Sequence, residues 1–474
     1  MSGPDRRYSG VEAPGRVGLP PVLQRPELPV RARLTVGSAL MLWVVRPSWL
    51  WRREIGAALV LALLAAAGWL SRGWPGAVAA PLGPAVIAGL VPWTRRAAAR
   101  VWRRGRLRRK WDRACRFAML TTVNDRIPRI RKARRVPGGD RLLVRVPRGS
   151  TVEELEAEAE RVAAVLRVRE VRVSRDMDRA DLAHVDIVRR DPFANPADPE
   201  VSVPIRWPWA GGGQRSFGAA VPLGVDDMGD PVAVRFEGKN IVLGGEPEAG
   251  KSAALSLILA AAALDPYTQI WGWDAKRVEL ALWRPVMTRI TYADMDAAIA
   301  QLEDLIKEMD RRYELLESAG RRMLLAQDAP MIVVAVDELR FFTAHLDLAA
   351  RRHFNGLAID VIARGRAARI FAALATQKPS GDVVPTALRD LVALRWAMRC
   401  NTPQASDTIL GSGMASAGYS AADIDRRTRG VGWLHAEGSW PRRVKSYYLN
   451  DDEIRSIVAQ GAALRRLVAG DAWV

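Results

Sequence analysis

The stretch that most constrains this chain is Asn240 to Leu255, NIVLGGEPEAGKSAAL. An apolar run, Ile241 to Leu243, stops at two glycines and crosses Glu246, Pro247, Glu248 and Ala249. It resumes behind Gly250 as an alanine-rich segment, Lys251, Ser252, Ala253 and onward to Leu264. Gly245, Gly250, Lys251 and Ser252 fit G-x-x-x-x-G-K-[ST], placed between a predicted strand and a predicted helix. In that setting the glycines let the backbone wrap phosphate, while amide N–H groups and the helix N-terminus face the anion. Lys251 is predicted to reach the β/γ-phosphates and Ser252 to ligand Mg²⁺, so the cofactor expected is ATP with Mg²⁺.

Such a loop needs a second element that completes the metal shell and activates water. PMIVVAVDEL ends an apolar run, Met331 to Val336, in Asp337 and Glu338. Asp337 is predicted to hold the Mg²⁺ shell and Glu338 to polarise the attacking water. Two further apolar runs end in polar residues, QIWGWDAK at Asp274 and RIFAALATQKP at Gln377. Strands alternating with helices over Asn240 to Leu449 predict an α/β fold with a parallel sheet and ligand chemistry at the strands' carboxyl ends.

Lys+Arg of 71 against Asp+Glu of 52 leaves a net charge of +19, which points to a polyanion as partner, nucleic acid or anionic lipid. Cys115 and Cys400 lie far apart without a CxxC, and four scattered histidines, His184, His345, His353 and His435, have no metal-ligand spacing. A disulfide framework and a transition-metal site are therefore not expected.

Residues 1–40 read as a flexible tail. A membrane hairpin is expected over 41–95, with helices at about 55–70 and 74–93. Trp49, Trp51, Trp69, Trp74 and Trp93 cluster near the segment ends. Arg46, Arg52 and Arg53 precede the pair and Arg95, Arg96 and Arg100 follow it, which puts both outer ends in the cytoplasm of a multi-pass protein of the plasma membrane. A basic juxtamembrane segment fills 96–135, with a second basic patch at Arg129 to Arg135. A small α+β domain is predicted over 136–205, its helix opening on a capping box of Ser150 and Glu153. An α/β nucleotide-binding domain is expected over 206–450, and a C-terminal helix and tail over 451–474.

The words around the phosphate loop resemble the FtsK/SpoIIIE family. WDAKRVEL (Trp273 to Leu280) is similar to its D-P-K-x-x-E-L element and EMDRRYELL (Glu308 to Leu316) to its E-M-x-R-R-Y stretch. RGRAARIFAALATQKPSGDVVPTALRD (Arg364 to Asp390) is similar to its R-A-x-G-I-H…A-T-Q-R-P segment, and SDTILG (Ser406 to Gly411) continues it. With a membrane hairpin, one motor and an Arg/Ala/Trp-rich composition, the chain resembles within that family the TraB-type double-stranded DNA transfer ATPases of actinomycetes. The resemblance implies a RecA-like P-loop motor in a homo-hexameric ring that hydrolyses ATP between subunits and translocates double-stranded DNA in conjugation. It places Gln377 as the sensor of the γ-phosphate and Arg366 as the arginine finger acting on a neighbour, with Arg364 and Arg369 as competitors. The family's C-terminal winged-helix DNA reader is not recognised after Leu449, so separate DNA-recognition or transfer proteins are implied. A chromosome-segregation translocase, a type VII-like protein-secretion ATPase and a membrane-anchored nucleotide sensor are the rival readings.

Overall fold

The computed structural model describes residues 52–90, 92–189, 193, 203–436 and 438–471, in two compact units, 1–110 and 111–474. The expected tail over 1–40 lies outside the described residues, as does most of the linker after residue 189.

In the first unit, helices α1 (Arg52–Arg72) and α2 (Trp74–Leu90) pack against each other. They cross where Gly68 meets Gly76: a Cβ on either would lie 2.1 Å from the other's carbonyl oxygen, so only glycine permits the approach. Among the described residues one helix is long and apolar enough to cross a membrane, through the window Ile55–Arg72 with mean hydropathy 1.8. The second of the two expected spans is shorter than foreseen. It is 17 residues long and ends at Leu90 because Pro92 starts a new helix, α3 (Pro92–Phe117).

The end of α3 belongs to the second unit, where Trp111, Ala114 and Cys115 are buried and the Trp111 indole donates to the carbonyl of Pro128 at 2.8 Å. Strands β1 (Arg129–Val136) and β2 (Gly139–Arg145), helices α4 (Val152–Ala157) and α5 (Ala159–Leu166), and strands β3 (Glu170–Arg175) and β4 (Leu182–Val188) follow. They make a four-stranded antiparallel sheet in the order β1-β2-β4-β3. The α+β domain thus begins seven residues earlier than expected, because the basic patch Arg129 to Arg135 forms its edge strand, with Arg129, Arg131, Lys132, Arg134 and Arg135 exposed along it. The predicted capping box is displaced by one residue: Thr151 and Glu154 exchange the reciprocal bonds, not Ser150 and Glu153.

The rest of the unit is built on an eleven-stranded sheet. In chain order its elements are β5 (Ile205–Arg206), β6 (Val221–Asp226), β7 (Pro231–Val234), β8 (Ile241–Gly244), α6 (Lys251–Ala263), β9 (Thr268–Trp273), β10 (Arg289–Thr291), α7 (Met295–Ser318), β11 (Met331–Val336), α8 (Leu339–Thr343), α9 (Leu348–Arg364), β12 (Ile370–Thr376), α10 (Thr386–Asp390), β13 (Leu394–Met398), α11 (Pro403–Leu410), β14 (Val431–Ala436), β15 (Arg442–Tyr448) and α12 (Asp451–Asp471). The sheet is mixed, which corrects the expectation of a parallel one. β10-β9-β11-β12-β8-β13 run parallel, and β14, β15, β6 and β7 continue antiparallel.

Both faces of the parallel half are covered, which is why its strands read as unbroken apolar runs. Met331, Val333 and Ala335 of β11 enter the core beneath α6, while Ile332, Val334 and Val336 enter the core beneath α7 and α9. Helix α12 is part of this body and not a tail. Ile454, Ile457 and Val458 join the core on the α6 side, and the Arg465 guanidinium donates to the carbonyls of Ala262, Ala263 and Thr268. A cation there takes up the orphan carbonyls at the C-terminus of the helix that carries the phosphate loop.

Candidate active site

The loop between β8 and α6 is held on two sides. The Gly245 N–H donates to the Thr376 carbonyl at 3.2 Å and the Glu246 N–H to the Arg399 carbonyl at 2.9 Å, which fixes the loop to the ends of β12 and β13. Gly250, at φ 108°, sits against Gly430, whose N–H donates to the Ala249 carbonyl at 2.9 Å. A Cβ at Gly250 would come within 2.6 Å of the Gly430 Cα, and the positive φ excludes it as well. The two acids inside the loop are not loose: Glu246 pairs with Arg399 at 3.4 Å and Glu248 with Arg429 at 3.1 Å. Their charge is thereby offset beside the loop expected to cradle phosphate.

Lys251 is buried, and its Nζ donates to the main-chain carbonyl of Asp337 at 2.8 Å. Burial holds its ammonium below the usual lysine range, opposed by Glu338 and Asp337. One oxygen of Asp337 accepts from the Ala275 N–H at 2.9 Å, and the other, Oδ2, is buried without a hydrogen-bond partner. Burial pushes the Asp337 carboxyl up to about 6, helped by Asp274 and opposed by the Ala275 amide and the nearby lysines. The orphaned Oδ2 and the half-buried Ser252 at the first turn of α6 are hard oxygen donors, the ligand type Mg²⁺ takes. These two residues would hold the ion, which when bound neutralises charge on the phosphate oxygens.

Glu338 is positioned from three directions. The Thr376 hydroxyl donates to its Oε1 at 2.9 Å, the Gln377 N–H reaches both oxygens at 3.3 and 3.2 Å, and Lys276 pairs with Oε2 at 3.6 Å. Gln377 therefore meets Glu338 through its backbone. Thr376 and Lys276 are participants that the sequence reading missed, although both stand inside words quoted for the resemblance, ATQKP and WDAK. Asp274 plays a different part. It is fully buried and accepts from the N–H groups of Lys276 and Leu280, so it shapes the turn that delivers Lys276.

Three strands that adjoin in the sheet, β11, β12 and β8, thus bring Asp337, Glu338, Gln377 and the loop Gly245 to Ser252 together at their carboxyl ends. Arg366 is not among them. It precedes the amino end of β12, a seven-residue strand, roughly 20 Å from Gln377. The loop that carries it is pinned on both sides, by the Tyr313 hydroxyl donating to the Arg364 carbonyl and by buried Arg312 donating to the Ala368 carbonyl, each at 2.8 Å. Arg364 is engaged by Asp360 and Asp310, and Arg369 is nearly buried and pairs with Glu237. Arg366 is exposed and makes no ion pair or hydrogen bond through its side chain among the described residues.

Residues 213–329, which include the phosphate loop, match the model of the FtsK/SpoIIIE family. That segment is similar to the FtsK/SpoIIIE family. DNA translocase FtsK of Staphylococcus epidermidis is 26% identical over 260 residues, covering 50% of this chain and 31% of the relative. DNA translocase FtsK of Bacillus cereus is 27% identical with the same coverage, so the chain spans about a third of the length of these FtsK relatives. Among solved structures, the pCW3 conjugation coupling protein TcpA with ATPγS aligns at TM-score 0.49 and 18% identity over 74% of this chain and 98% of that one. The cytoplasmic domain of the Thermomonospora curvata type VII secretion ATPase EccC aligns at TM-score 0.44 and 20% identity over 54% and 32%. The domain's match ends before Asp337 and Glu338, which rest on the geometry given above.

Proposed function

We propose that this protein is a membrane-anchored ATPase that translocates double-stranded DNA, of the TraB-type conjugative kind, working as a homo-hexamer with its motor on the cytoplasmic side of the plasma membrane. The observation that carries the reading is the convergence of an unpartnered carboxylate oxygen on Asp337 and a triply held Glu338 on a phosphate cradle that lies within the segment matching the FtsK/SpoIIIE family. Gly245 to Ala253 cradle the phosphates, Lys251 answers their charge, and Ser252 and Asp337 hold Mg²⁺. Glu338 orients and deprotonates the attacking water, and Gln377, bonded to Glu338 through its own amide, couples the end of β12 to that water.

The cargo follows from charge. A +19 excess suits a phosphate backbone, and backbone contacts carry affinity without sequence information. Hydrolysis by the full chain in nanodiscs is expected to rise with the length of unrelated duplexes to a similar degree. Hydrolysis that ignores DNA and responds to a secreted protein's signal segment would replace this reading with protein secretion.

The anchor is proposed as the α1–α2 hairpin, closed by the Gly68–Gly76 crossing, with the arginines of α3 against anionic headgroups. The protein is expected to resist extraction from membranes by alkaline carbonate and to expose both outer ends to protease from the cytoplasmic side only. Recovery of the full chain in the soluble fraction would end the anchor assignment.

A further inference from the structure

The small domain over 129–188 is fastened to the motor at one end and open at the other. At the fastened end Val136 and Val188 bury Met228 at the tip of the β6–β7 turn. Arg172 pairs with buried Asp227 and Arg141 with Asp230, and Gly138 lies where a Cβ would be 2.3 Å from the Asp227 carbonyl oxygen. At the open end the start of β1, the loop after β2 and the β3–β4 turn enclose a groove of about 770 Å³. Four of the guanidiniums lining it, on Arg126, Arg129, Arg131 and Arg148, are exposed and make no ion pair or side-chain hydrogen bond among the described residues. The other two, on Arg145 and Arg175, are neutralised by Asp181 and Glu153.

We infer that this groove is a second grip on the DNA, a site for consecutive phosphates of the duplex backbone outside the motor. The inference rests on the reading of the cargo as DNA. Four unneutralised like charges facing one hollow repel each other unless an anion lies between them, and the guanidinium fork matches phosphate oxygens in pairs. The hollow is concave, which suits the ridge of a phosphodiester backbone better than the plane of a headgroup layer. Because Arg141, Arg172 and Met228 fix the domain to the β6–β7 turn, a strand held here is held by the same rigid body that carries the ATP site. A lipid surface is the competing partner, since Val123 and Met177 project fully exposed from the neighbouring loops.

The test uses the full chain in neutral-lipid nanodiscs, unsubstituted and with Arg126, Arg129, Arg131 and Arg148 all changed to Gln. Duplex affinity is measured over a salt series, with ATPase in the absence of DNA as the check that the motor is intact. Loss of four phosphate contacts is expected to reduce the log–log salt slope by roughly 3.6 and to weaken binding more than tenfold at low salt. Steep salt-dependent binding by both proteins with equal slopes overturns the groove and leaves the DNA reading standing. Absence of DNA binding by the unsubstituted chain overturns both. In nanodiscs with anionic lipid, a difference between the two proteins in hydrogen exchange over 123–131, with no change in DNA affinity, assigns the groove to the membrane and also overturns the proposal.

Discussion

Replacing Glu338 with Gln lowers ATP turnover by about 10²- to 10⁴-fold and leaves ATP binding nearly unchanged. The amide keeps the shape of the side chain, so Oε1 can still accept from Thr376, and the Gln377 N–H keeps an oxygen within reach. What is lost is the charge that pairs with Lys276 and that, in the proposed mechanism, takes the proton from water. Lys251→Ala is expected to differ in kind, because it removes the cation buried in the cradle and should abolish nucleotide binding itself. Fluorescent-nucleotide titration and single-turnover hydrolysis separate the two. A Glu338→Gln protein that hydrolyses at the unsubstituted rate would remove this residue from the chemistry.

Arg366→Ala is expected to depress DNA-stimulated hydrolysis by roughly 10³- to 10⁵-fold, the range found for arginine fingers, with ATP and DNA binding retained. The reason lies in its placement: the side chain is exposed, makes no ion pair or hydrogen bond among the described residues, and stands at the end of the sheet remote from its own phosphate loop. In the proposed ring it would meet the nucleotide of a neighbouring copy. Mixing Arg366→Ala chains with Lys251→Ala chains should therefore restore part of the activity, because one supplies an intact cradle and the other an intact finger. No recovery on mixing, with hexamers present by mass measurement, would place the arginine elsewhere. Arg364→Ala should instead act through stability, since Asp360, Asp310 and the Tyr313 ring already occupy that guanidinium.

The parts of this site that the sequence made visible are those written in short contiguous words. A phosphate loop needs glycines at fixed spacing, and a buried strand ending in two acids advertises itself by its apolar run. Thr376 and Lys276 were invisible as partners of Glu338 because the three come from the ends of different strands and meet only once β9, β11 and β12 are in register. The antiparallel half of the sheet escaped for a related reason: β15 pairs with β6 from more than two hundred residues away, and no local pattern reports such a pairing. Strand β1 was hidden by its own irregularity. A bulge between Ile130 and Lys132 breaks the alternation of apolar residues, and an edge position lets the arginines point to solvent. The capping box slipped by one residue because Ser150-Thr151 and Glu153-Glu154 are each adjacent pairs with the same spacing.

In the proposed reading, strand β12 joins two places that belong to different catalytic events. Its carboxyl end holds Thr376 and Gln377 against Glu338 of its own chain, and the loop before its amino end presents Arg366 outward. All seven of its residues are buried, and parallel neighbours flank it on both sides, so it has little freedom to stretch or bend. In a ring of the proposed kind it would act as a stiff push-rod. A displacement at Glu338 when the γ-phosphate leaves would be delivered to the adjoining subunit without a hinge.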